Sequence, residues 1–137
     1  MSTGEAHTAR IVGTDAADDV AVLQVVGASG LDTVATDNDG VTTGEAVTAV
    51  CAGNGTVDNL SAAGGSVLAT NQSITTRSEG TASSEQLTDL IEISSDVVSG
   101  YSGGATYDAD GEAVGMTTAA SSGTSDVTAA RSPSARC

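Results

Sequence analysis

Three short acidic turns constrain this chain most. TDAAD at 14–18, DNDG at 37–40 and DADG at 108–111 each lie between short runs of Val, Ile and Thr, namely RIV before VAVLQVV, TVAT before VTTGEAVTAV, and ATY before EAVGMTTA. Asp, Asn and Gly stabilise tight reversals, and β-branched residues favour the extended backbone on either side. A chain that reverses so often is all-β and antiparallel. The pattern predicts strands near 8–13, 20–26, 46–51, 66–74, 89–94, 103–107 and 112–118. One stretch leaves a choice. In EQLTDLIEISSDVV, residues 85–98, Leu87, Leu90 and Ile91 share one face of a helix, whereas Asp89 to Ser94 also reads as a strand.

The core available to such a fold is thin. Val, Leu, Ile and Phe together make 25 of 137 residues, with no Phe or Trp, and the net charge is -14. Those values fit either a disordered chain or a small all-β domain packed with valine and threonine. The charge also excludes partners. With 4 Arg, no Lys and 18 acidic residues, the chain has little to neutralise a phosphate backbone or bind an anionic membrane, so no nucleic-acid or membrane partner is expected. A phosphate-binding or Schiff-base lysine is absent. The start, MSTGEAHTAR, has no basic region followed by an apolar one, so no export signal is read from it, and no window is long enough to span a membrane.

No cofactor or metal is expected. Cys51 lies in a Gly-rich segment and Cys137 is the last residue, which favours two free thiols over a disulfide; with one His, no zinc-ligand spacing exists. The DNDG turn looks like a calcium loop but fails the EF-hand pattern. Ala35 stands where the first ligand belongs and Ala46 where the bidentate Glu belongs, so a plain turn is the better reading.

The candidate chemistry lies in SGYSGGAT, residues 99–106. A serine on a Gly-rich turn places a nucleophilic oxygen beside backbone N–H groups that can hold an oxyanion. Ser102 is the candidate nucleophile, and the N–H groups of Gly100 and Ser102 are the candidate oxyanion hole. This stretch resembles the nucleophile loop of trypsin-like serine peptidases of the HtrA-like branch, G-[DN]-S-G-G-P, with Tyr101 and Ala105 where the family has Asp or Asn and Pro. ARIVGTDAADDVAVL resembles the segment around the family's catalytic aspartate, which puts Asp19 in the triad position, where it would orient an imidazole and stabilise its charge. TTGEAVTAV, GGSVLATNQSIT, LIEISSDV and GEAVGMTTA resemble further family strands in the same order, covering about residues 8–123. The resemblance implies an antiparallel trypsin-like double barrel, of which this chain supplies mainly the second barrel and an edge of the first. It makes residues 1–123 a truncated peptidase domain and 124–137 a polar tail. It also implies peptide or unfolded-protein substrates and, for a full-length parent, an extracytoplasmic location.

The family's histidine lies well upstream of its aspartate, and the sole histidine here is His7. If 7–12 pair with 20–25, Asp19 lies opposite residue 12 and His7 is about 17 Å away at ~3.4 Å per residue, too far to touch Asp19. Three readings follow: a serine endopeptidase inactive as written because its histidine is missing; a catalytically dead module that binds an extended peptide by strand addition near Gly115 to Ala119; or a decayed fragment without a folded function.

Overall fold

The computed structural model describes residues 6–52, 60–77, 84–97, 100–120 and 127–131. All regular structure among them is β: β1 (Ala9–Asp15), β2 (Val20–Val25), β3 (Ala46–Ala52), β4 (Leu60–Arg77), β5 (Ser84–Ser94), β6 (Ala105–Tyr107), β7 (Ala113–Ala120) and β8 (Val127–Arg131). β1 and β2 form a separate two-stranded sheet. The other six close an antiparallel barrel in the order β3-β4-β5-β8-β7-β6.

The three turn signals act locally as their chemistry predicts. Asp15 accepts hydrogen bonds at Oδ1 from the N–H groups of Ala17 and Asp18. Asp37 does the same for Asp39 and Gly40, and Asp108 for Asp110 and Glu112. In each case the carboxylate satisfies N–H groups that the reversal would otherwise leave unpaired.

Alternation then directs small apolar residues inward. Val47, Ala49 and Cys51 on β3, Val67 on β4, Ile91 and Ile93 on β5 and Val114 on β7 form one core cluster with Val97 and Tyr101. The choice over 85–98 resolves as strand, because Ile91 and Ile93 must both face this core, which a period of two achieves. Cys51 is a free buried thiol. Cys137 lies outside the described residues.

Small side chains let the strands approach closely. A Cβ on Gly65 would stand 1.9 Å from the carbonyl oxygen of Ser94, where β4 crosses from β3 to β5. Beyond that crossing both strands bend. Asn71 on β4 and Asp89 on β5 adopt positive φ, and the β4–β5 register shifts on both sides of the Gln72↔Leu90 pair. Asn and Asp tolerate this conformation better than other side chains, and the bend sets Ile74 against the buried Leu87 and Leu90 in a second small cluster.

Two expectations need correction. The strand expected at 66–74 is the middle of the 18-residue β4, which extends back through LSAAGGS to pair with β3 from Leu60 to Ser66; lacking large alternating residues, that half reads as loop. The stretch from 124 onward, expected to be a polar tail, contains β8. It pairs with β5 from Leu90↔Arg131 to Ser94↔Val127 and with β7 from Met116↔Arg131 to Ala120↔Thr128. A strand held by ladders on both sides needs little hydrophobic pattern of its own.

Gly65→Ala should therefore destabilise the chain by about 1–3 kcal/mol. Gly64→Ala, with open space around its Cβ position, should stay within about 0.5 kcal/mol of wild type. Equilibrium urea denaturation of the two variants checks this, and equal losses would contradict the crossing.

Candidate active site

Ser102 sits at the tip of a tight turn. The N–H of Gly104 donates to the carbonyl of Tyr101 at 2.8 Å, and Gly103 has φ +81°, a third-position conformation that favours glycine. Ser102 is exposed, and its hydroxyl has no hydrogen-bond partner among the described residues. Gly104 cannot carry a side chain, because a Cβ there would lie 2.3 Å from the carbonyl oxygen of Val50 on β3.

β7 holds this turn from the other side. The N–H of Gly103 donates to the carbonyl of Thr117 at 2.7 Å, and the N–H of Thr117 donates to the carbonyl of Gly104 at 2.8 Å. The adjacent residue, Thr118, donates from its hydroxyl to Oδ2 of Asp19. Asp19 closes the β1–β2 loop with φ +53°, after the Asp15↔Val20 pair. Asp19 and the Ser102 turn, far apart in sequence, thus meet consecutive residues of one strand. Gly100 has φ +104°, and the N–H groups of Gly100 and Ser102 have no protein acceptor among the described residues. They remain available to an oxyanion.

His7 does not join them. It is exposed and precedes β1, at the end of the hairpin where Ala9 pairs with Val25. Asp19 lies in the loop beyond Asp15 rather than opposite residue 12. His7 is eight residues from Asp15, so the separation grows to about 27 Å at ~3.4 Å per residue. Thr118 escaped the sequence reading; no signal in the sequence pairs a strand threonine with a loop carboxylate ninety-nine residues away.

The strand-addition edge expected near Gly115 to Ala119 is narrower than that. Gly115 and Met116 pair with β6, Thr117 with the Ser102 turn, and Met116 to Ala120 with β8. Barrel closure uses these groups and leaves at most Thr118 to Ala120 for an added strand.

Beside β7 the DNDG turn does gather acidic groups, though with a different partner from the one an EF-hand would use. Asp37, Asp39 and Glu112 bring carboxylate oxygens within 4.8 Å of one another, because the Asp37 N–H bonds to the carbonyl of Ala113 and the Ala113 N–H to that of Ala35. The hydrogen bond between Asp37 and Asp39 lowers the first pKa and raises the second. Desolvation, followed by the charges of Asp108 and Asp37, raises that of Glu112.

The sequence profile of the trypsin-like peptidase domain matches residues 1–116. The chain belongs to that family. Among solved structures, the Rv3671c protease from M. tuberculosis in its active form superposes with a TM-score of 0.80 at 22% identity, over 96% of this chain and 56% of that one. Its inactive form gives a TM-score of 0.77 at 22% identity, over 96% of this chain and 64% of that one. The HtrA-type protease AlgW with a decapeptide gives 0.73 at 26% identity, over 93% of this chain and 37% of that one. This chain thus spans less than two thirds of these structures. The fold is trypsin-like, and this chain supplies mainly one closed antiparallel barrel beside the separate β1–β2 hairpin. No curated protein matches the sequence closely enough to count as a relative.

Ionised Glu112 is disfavoured in the folded state, so its raised pKa weakens the fold above that pKa, and the effect fades as pH falls below the ordinary Glu value. Glu112→Gln should melt at a higher temperature than wild type at pH 7, with the difference closing towards pH 3. A lower melting temperature at pH 7, or a difference that persists at pH 3, would contradict the assignment.

Proposed function

We propose that this chain carries the nucleophile-bearing part of a serine endopeptidase acting on peptides or unfolded protein. Ser102 is the nucleophile, Asp19 the acid that orients a histidine, and the N–H groups of Gly100 and Ser102 the oxyanion donors. The observation that supports this reading is the shared bracket on β7, with Thr117 holding the Ser102 turn and Thr118 holding Asp19. In the proposed reaction the Ser102 oxygen attacks the peptide carbonyl carbon, its proton passes to an imidazole, and the oxyanion is held by the two N–H groups. Asp19 stays ionised and stabilises the imidazolium. The proton then goes to the leaving amine, and water hydrolyses the acyl ester by the same route.

The imidazole comes from outside these 137 residues, since His7 is remote and no other histidine is present. The hairpin that carries Asp19 has a surface suited to further strands: Ile11 and Leu23, a cross-strand pair, are 69% and 59% exposed. A two-stranded sheet with such a face is marginal by itself. The peptidase domain is proposed to include β8 and so to run past residue 123.

By itself the chain should cleave a casein or fluorogenic peptide substrate no faster than its Ser102→Ala variant, because loss of a triad histidine costs on the order of 10⁶ in turnover. Fusion to a histidine-bearing first-barrel segment should give endopeptidase activity. That activity should fall by about 10⁶ on Ser102→Ala and about 10⁴ on Asp19→Asn. A folded fusion that is inactive, or one whose activity survives Ser102→Ala, would overturn the reading.

A further inference from the structure

The residue before the candidate nucleophile departs most from the family pattern, and the structure gives it a clear physical role. Tyr101 is 6% exposed, packed in the core cluster with Val47, Val67, Ile93, Val97 and Val114. It is the only aromatic side chain in that cluster, and one of two in the chain. Its hydroxyl has no hydrogen-bond partner among the described residues, so the side chain is held there by apolar contact.

The same residue is the first of the turn that presents Ser102. Its carbonyl accepts from the Gly104 N–H, while Gly104 is fitted against Val50 on β3. The chain passes from a ring anchored in the barrel, through an exposed serine, to a glycine wedged against the barrel wall.

We propose that Tyr101 is the positioning residue of the Ser102 turn, and that it fixes the turn by burying its ring in the barrel core rather than through a polar or ionic contact. The role of Ser102 rests on the proposed function above; the anchoring of the turn does not. A carboxylate at position 101, as in the family pattern, would enter an apolar cluster that contains no cation, and an unpaired buried charge is strongly unfavourable. A phenylalanine would keep the ring and remove an unpartnered hydroxyl. Tyr101→Phe should therefore preserve the turn and Tyr101→Asp disrupt it.

Amide hydrogen exchange by NMR on the full 137-residue chain separates a local anchoring role from a general contribution to stability. The probes are the Gly103 and Gly104 amides, which bond within the turn and to β7. The Val67 amide, which bonds to the carbonyl of Glu45, reports on the barrel core that receives the ring. Tyr101→Phe should leave all three rates within about twofold of wild type. Tyr101→Asp, and Tyr101→Ser if the aspartate variant does not fold, should speed exchange at Gly103 and Gly104 at least tenfold more than at Val67.

Uniform acceleration at the three sites in the serine variant would reduce Tyr101 to a general core residue and overturn the proposal. So would retained protection at Gly103 and Gly104 without the ring, loss of protection in Tyr101→Phe, or a wild-type chain in which these two amides are unprotected. Because the readout needs no turnover, inactivity of the fused enzyme with the exchange pattern intact would count against the peptidase reading alone.

Discussion

The backbone bonds of Thr117 are the constraint on which the site depends. Its carbonyl takes the Gly103 N–H and its N–H reaches the Gly104 carbonyl, so the Ser102 turn is an extension of the β6–β7 ladder and not a free loop. β7 in turn is placed by β6 on one side and β8 on the other. An exposed hydroxyl becomes useful for acyl transfer only when its position is held relative to its neighbours. Here a closed barrel provides that rigidity, and the threonine next along the strand extends it to Asp19.

Composition explains how such a barrel forms from so few large residues. Val, Ala, Ile and Cys on facing strands leave little volume to fill, so strands approach until glycine is the only residue tolerated, as at Gly65 and Gly104. Tyr101 is the largest side chain in the cluster. This economy has a cost at the surface. Acidic turns that stabilise each reversal also crowd Asp37, Asp39 and Glu112 together, and the mutual repulsion opposes the compact state.

Much of this was legible in the sequence because local chemistry and global fold agree. The TDAAD and DADG hairpins and β3 carry turn residues and alternating small or β-branched residues that favour one arrangement, whereas the core half of β5 is decided only by the barrel core that Ile91 and Ile93 face. The Gly-Tyr-Ser-Gly-Gly stretch was legible as a tight turn for the same reason as the hairpins. β8 and the first half of β4 were not, since their stability comes from ladders on both sides and from close approach, neither of which leaves a periodic signal. The partners brought together across the barrel were also hidden. Thr118 meets Asp19 and Glu112 meets Asp37 only because the fold closes, and the distance from His7 to Asp19 was underestimated because the hairpin loop falls after Asp15.

β7 holds the Ser102 turn through two defined backbone hydrogen bonds. Scalar couplings across hydrogen bonds in the doubly labelled chain measure this directly. Couplings are expected from the Gly103 amide nitrogen to the Thr117 carbonyl carbon and from the Thr117 amide nitrogen to the Gly104 carbonyl carbon. If both were missing while couplings across the β3–β4 ladder were present, the barrel would stand without its bracket, and the account of the site would be contradicted.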